Sequence, residues 1–315
     1  MVLRSQESDL AIAHGRLIEQ MRRNMGPVVE QAIRADDVVE VMLNSDGRLW
    51  VERFGVGMED AGTLSAIQAQ NFLTTVAAWL GLVANTEHAI VEGALPPEFG
   101  SARFEGLLPP LVTNPVFAIR MRAKKVFTLT QYVERDILKS TERDIIVQAV
   151  TDRKNIVVSG GTGSGKTTLL NAVLQEISDQ AGAEQRVVLI EDTMELQCNA
   201  VNHVAMLADT RVTQHDLLKA TLRLRPDRIL VGELRDGRAA LALLDAWNTG
   251  HPGGACTVHA NSAELALRRI DSLCQRAGVP SQMETIREAV DIVIQIVRDP
   301  NHPSGRRIEE ILRVQ

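Results

Sequence analysis

NIVVSGGTGSGKTTLL, residues 155–170, runs from an apolar stretch through a glycine-rich turn into a segment with apolar residues at Leu169, Leu170, Val173, Leu174 and Ile177. That spacing predicts strand, loop and helix. Gly160, Gly165, Lys166 and Thr167 fit G-x-x-x-x-G-K-[ST], the phosphate-binding loop, and the flanking strand and helix are the context this motif requires. Glycines at 160, 161, 163 and 165 allow backbone approaches that a side chain would block. The N–H groups along Gly160, Gly161, Thr162, Gly163, Ser164, Gly165, Lys166, Thr167 and Thr168 can therefore turn toward phosphate oxygens. The positive end of the following helix adds to that field. Lys166 is then expected at the β and γ phosphates, and the Thr167 hydroxyl on Mg²⁺.

A chain of 315 residues is long for one domain and comfortable for two. Its 34 basic residues against 40 acidic ones leave a net charge of −6, which gives no bulk electrostatic reason to bind nucleic acid, and direct contact with DNA is not expected. The polar start MVLRSQESDL lacks the apolar core of a secretion signal, so the chain is expected to stay in the cytoplasm. Phe72 to Ala84 is too short an apolar run to span a bilayer and reads as a buried helix. Cys198, Cys256 and Cys274 are odd in number and widely spaced, so free thiols are expected rather than a disulfide framework or a zinc pair.

The first part of the chain predicts an α+β domain over residues 1–130, followed by a linker at 131–140 and a second domain over 141–315. One or two amphipathic helices occupy the first 35 residues. VVEVMLNSDGRLWVERFG spells a β-hairpin around Asn44 to Gly47. A helix from about Ser65 to Val83 follows, then short strands separated by prolines. Arg120, Arg122, Lys124 and Lys125 form a basic stretch with two readings. One is a solvated edge strand, which lysine protects from aggregation. The other sets these arginines, with Arg103, against phosphates, where a planar guanidinium suits paired oxygens.

The second domain alternates strand and helix. The apolar run ending at Ile190 leads into Glu191, Asp192 and Glu195, carboxylates at the end of a strand, where ligands of a parallel sheet collect. A polar turn capped by Asp192 is the alternative. Arg228 to Val231 ends in Gly232-Glu233, which places an acid to hold Mg²⁺ directly or through water. His251 and His259 flank the strand Ala255 to Val258; they suit phosphate sensing or a bridge between loops better than a metal pair, for which no further ligand stands at a useful spacing. A hairpin around Pro303-Ser304-Gly305 is expected to finish the sheet.

The phosphate loop 160–167, EDTMEL at 191–196, LRLRPDRILVGELRD at 222–236 and TGHPGGACTVHANS at 249–262 together resemble, in order and character, the secretion ATPase family of type II secretion, type IV pili and type IV secretion. Within it, the N-terminal segments resemble the conjugal-transfer group. The resemblance implies an α/β fold with a RecA-like P-loop C-terminal domain, an N-terminal domain that closes over ATP, and a ring of six copies. It also implies attachment to inner-membrane components of a secretion channel at the cytoplasmic face. Carried onto matching positions, it makes Lys166 and Thr167 the ATP and Mg²⁺ ligands, Glu195 the residue that orients or deprotonates water with Glu191 and Asp192 as alternates, and Glu233 the Walker B acid. His251 and His259 become a histidine box, and Arg103 and Arg120, with Arg122 a near substitute, phosphate contacts. The tetracysteine zinc module of many type II enzymes is missing, which favours conjugation or another type IV system. A pilus motor, a DNA translocase and a nucleotide-gated structural ring are the competing readings.

Overall fold

In the computed structural model the chain is described over residues 2–53, 56–122, 126–209 and 211–314, with side chains from residue 13 onward, and it divides into two units, Met1–Lys124 and Lys125–Gln315. In the first unit, α1 (Val2–Arg34) breaks at Gly26, whose φ of 75° and ψ of 165° leave the helix just before Pro27. A glycine tolerates that geometry and proline has no N–H to lose there. Then follow β1 (Val38–Leu43), β2 (Arg48–Arg53), β3 (Gly57–Thr63), α2 (Ala66–Trp79), β4 (Ile90–Ala94), β5 (Arg103–Leu107) and β6 (Val116–Arg120). The strands form one antiparallel sheet ordered β3-β2-β1-β6-β5-β4. The core gathers Met21 and Met25 with Phe72, Phe104 and Phe117, whose rings lie 5.3–6.1 Å apart. The expected hairpin is β1–β2, turned by Gly47 at φ 82°. The helix expected from about Ser65 to Val83 starts at Ala66, capped by Ser65, and stops at Trp79, and Leu82 and Val83 are exposed beyond it.

The second unit holds α3 (Leu129–Glu134), α4 (Ser140–Thr151), β7 (Ile156–Ser159), α5 (Lys166–Ala181), β8 (Val187–Glu191), β9 (His203–Leu207) and α6 (Gln214–Thr221). It continues with β10 (Arg228–Val231), α7 (Gly237–Asn248), β11 (Ala255–Val258), α8 (Ala263–Arg276), α9 (Met283–Ala289), β12 (Ile292–Arg298) and β13 (Arg306–Arg313). Its sheet runs β13-β12-β7-β11-β10-β8-β9, parallel except for β13. β7, β8, β10 and β11 are buried at every position, as continuous apolar strands are when helices cover both faces of a parallel sheet.

The division falls earlier than the predicted domain end at 130 and linker at 131–140. Leu129, Tyr132, Ile137 and Leu138 are buried in the core formed with Ile146, Leu169 and Leu170, so this stretch packs as part of the second unit. All three cysteines are free, and burial pushes the Cys256 and Cys274 thiols up to about 12 and 11, which keeps them protonated. Among the described residues no helix is long and apolar enough to cross a membrane.

Asn155 ties the amino-terminal ends of three strands together. Its side-chain oxygen accepts from the Gly253 and Gly254 N–H groups at 2.8 and 3.0 Å, and its Nδ2 donates to the Ala289 carbonyl at 2.8 Å, all buried. Asn155→Ala leaves two buried donors and an acceptor without partners, at about 1 kcal/mol or more each. The expected loss is roughly 3 kcal/mol, a fall of about 5–10 °C in unfolding temperature by calorimetry.

Candidate functional site

Gly163 and Gly165 take φ of 66° and 101°, a left-handed region that favours glycine, and Gly165 is the N-cap from which α5 starts at Lys166. This turn carries the loop over the carboxyl end of β7. Lys166 is buried, and its Nζ donates to the Gly161 carbonyl at 3.0 Å and lies 3.3–3.4 Å from the His259 ring nitrogens. Thr167 follows in the first turn of the helix, half-buried.

The parallel register sends the ends of β8, β10 and β11 to the same sheet edge. His259, directly after β11, reaches Glu233, after β10, with 3.3 Å between Nε2 and Oε1. Arg235 Nη2 bonds Glu233 Oε2 at 2.6 Å, and Arg235 Nη1 bonds Asp192 Oδ2 at 3.0 Å. A cavity of about 440 Å³ opens here between Thr162, Glu233, Leu234, Arg235, His259 and Arg269. Burial by itself would raise the Glu233 carboxyl, but the hydrogen bond from Arg235, with the charges of Arg235, His259 and Lys166, holds it below the usual carboxylate range. His259 is lowered by burial and then by the Lys166 charge, which outweigh the pull of Glu233. A neutral imidazole protonated on Nε2 donates to Glu233, while the Lys166 ammonium stands nearly equidistant from both ring nitrogens.

Glu191 is buried at the end of β8, and its Oε1 accepts from the Glu195 and Leu196 N–H groups, both at 2.9 Å. Asn171 of α5 donates to the Glu195 carbonyl at 3.0 Å and accepts from the Gln197 N–H at 2.8 Å. The acidic segment is thus fixed on one side by its own first carboxylate and on the other by the helix that carries Lys166, and Glu195 is half-buried within it.

The structure draws together Lys166, His259, Glu233 and Asp192, but not His251. That residue precedes β11, where Gly253 and Gly254 bind Asn155 at the start of β7, and its Nδ1 lies 3.3 Å from the Ala246 carbonyl. A strand of four residues separates the two histidines, so they stand at opposite edges of the sheet. In the first unit, Arg103 and Arg120 are directly opposed on β5 and β6, with Glu92 3.9 Å from Arg103 and Glu40 opposite Arg120 on β1. Lys124 and Lys125 lie outside the described residues.

Sequence reasoning missed Arg235 and Asn171. Arg235 had a signal, a cation two residues past the acid that ends a buried strand. Asn171 had none, because a polar residue inside a helix reads as solvent-facing until the segment it clamps is in place.

A family model described as Type II/IV secretion system protein matches residues 100–310. A probable conjugal transfer protein TrbB of Sinorhizobium fredii is 46% identical over 303 residues, covering 96% of this chain and 91% of that protein. Among solved structures, the VirB11 ATPase of the Brucella suis type IV secretion system, crystallised with sulphate, is 25% identical, with a TM-score of 0.50 and coverage of 96% of both chains. The Legionella pneumophila ATPase DotB, at 19% identity, shares the fold with a TM-score of 0.64, over 96% of this chain and 81% of that one.

Proposed function

The chain belongs to the Type II/IV secretion system protein family, and on that footing we propose that it hydrolyses ATP with Mg²⁺ and drives pilus assembly or substrate transfer in a type IV conjugal transfer system. The observation that carries this reading is the contact chain from Lys166 through His259 to Glu233 at the edge of one sheet, every link at 3.4 Å or less.

Lys166 holds the β and γ phosphates, exchanging the Gly161 carbonyl for phosphate oxygens. Thr167 and the ionised Glu233 would hold Mg²⁺, which supplies charge neutralisation at the phosphates. His259, bonded to both Lys166 and Glu233, senses whether that site is filled. Glu195 orients and deprotonates the attacking water, and Glu191 positions it. Transition-state stabilisation here is placement plus fixed charge.

Arg103 and Arg120 are read as phosphate contacts of the first unit, which closes over the nucleotide. The two guanidiniums face each other across β5 and β6, with Glu92 and Glu40 beside them, and a bound phosphate would compete with those carboxylates for the pair. The working form is a ring of six copies, held peripherally at the cytoplasmic face of the inner membrane by channel components, without direct nucleic-acid contact.

Phosphate release from purified full-length chain should require ATP and Mg²⁺, fall to background with a chelator and return when Mg²⁺ is restored. Release that ignores the chelator, or none at all, would overturn the proposal.

A further inference from the structure

The β12–β13 hairpin ends in two arginines with no role in the reading above. Arg298 closes β12, Arg306 opens β13, and the two are directly opposed in register. Both reach back to the phosphate loop. Arg298 Nε donates to the Gly163 carbonyl at 2.9 Å. A Cβ on Gly163 would strike Arg298 Nη2, and one on Gly165 would strike Arg306 Nη1. The two guanidiniums therefore lie against the loop itself. Among the described residues neither has a carboxylate at ion-pair distance; the nearby Asp299 is taken by Arg307 at 3.1 Å.

The bond to Gly163 has a geometric consequence. A peptide is planar and trans, so a Gly163 carbonyl held outward by Arg298 aims the Ser164 N–H the opposite way. That N–H donates to the Gly161 carbonyl at 3.3 Å, the same oxygen that takes Lys166 Nζ at 3.0 Å. Gly161 O thus stands where a loop of this kind presents its donors to a phosphate oxygen. Ser164 Oγ, buried in the same loop, has no partner among the described residues.

Building on the nucleotide reading of the loop, we propose that Arg298 and Arg306 are nucleotide-positioning residues of the same subunit. They hold the loop with its donors inward and add positive charge where it cradles the α and β phosphates. The guanidinium chemistry suits a diphosphate, which ATP and ADP share, rather than the base.

The test is binding of a fluorescent N-methylanthraniloyl-ADP to full-length protein, with inorganic pyrophosphate as competitor. Arg298→Ala and Arg306→Ala should each raise the Kd for labelled ADP by roughly tenfold or more, since a charge-assisted hydrogen bond is lost. Pyrophosphate should weaken as a competitor by the same factor. Arg→Lys at either position should recover the loss only in part, because an ammonium lacks the planar fork. Unfolding temperature without nucleotide should not change, while the upward shift caused by ADP should shrink. If wild type binds ADP and both alanine variants bind it equally well, the proposal is overturned. It is also overturned if ADP affinity falls and that of pyrophosphate does not, or if only the ligand-free unfolding temperature drops. Failure of wild type to bind ADP would overturn the underlying nucleotide reading and, with it, this proposal.

Discussion

Lys166→Ala is expected to abolish ATP turnover while leaving the protein folded and no less stable. The two effects separate for a physical reason. Lys166 is buried at the start of α5, with its ammonium on the Gly161 carbonyl and beside the His259 ring. Holding a cation there costs desolvation energy, so its removal relieves a penalty as well as deleting hydrogen bonds. In the working site that same ammonium is the charge that tracks the β and γ phosphates into the transition state, and losing one such preorganised group costs about 10² to 10³ in rate. Phosphate release read beside thermal unfolding therefore gives a flat stability and a lost activity. Turnover at wild-type level in the variant would remove Lys166 from the mechanism. A second readout is independent of nucleotide. Because the Lys166 charge is one of the causes that lower His259, the imidazole should titrate closer to its ordinary range in the variant by NMR.

The β7–loop–α5 unit was legible because each of its signals is local: a run of apolar residues, glycines where the backbone must turn left-handed, and a lysine-threonine pair with no reason to follow an ordinary turn. Strands β3 and β9 were not legible. They lie at sheet edges, and most of their residues remain accessible, so GMEDAGT and HVAML carry little of the apolar alternation that burial imposes. The domain boundary was misplaced for a related reason. Periodicity indicates that Leu129 and Tyr132 are buried, but not in which core. Of the two histidines read together, only His259 reaches the site, since residues close in sequence on either side of a strand leave at opposite ends of it. Arg298 and Arg306 were invisible as site residues because they reach the loop through the pairing of β12 with β7 and β13, contacts between segments far apart in the chain.

Glu195→Gln and Glu191→Gln, made separately, should differ by orders of magnitude although both remove one carboxylate from the same strand end. Glu191 spends its Oε1 on the N–H groups of Glu195 and Leu196. Glutamine retains a side-chain oxygen that can accept both bonds, so the turn survives, and the expected loss of turnover is less than about tenfold, in keeping with a positioning role. Glu195 is placed differently. Its N–H is fixed by Glu191 and its carbonyl by Asn171, so the backbone is pinned on both sides and the half-buried carboxylate is presented from a fixed origin. A glutamine there can still orient water but cannot accept its proton, and the expected loss in kcat is about 10² to 10⁴. ADP affinity should remain unchanged, because neither substitution touches the phosphate loop. Single-turnover phosphate release alongside ADP binding separates the two roles. If Glu191→Gln proves the silent enzyme and Glu195→Gln the active one, the base is the buried carboxylate at the end of β8, and the turn it caps serves to hold that base.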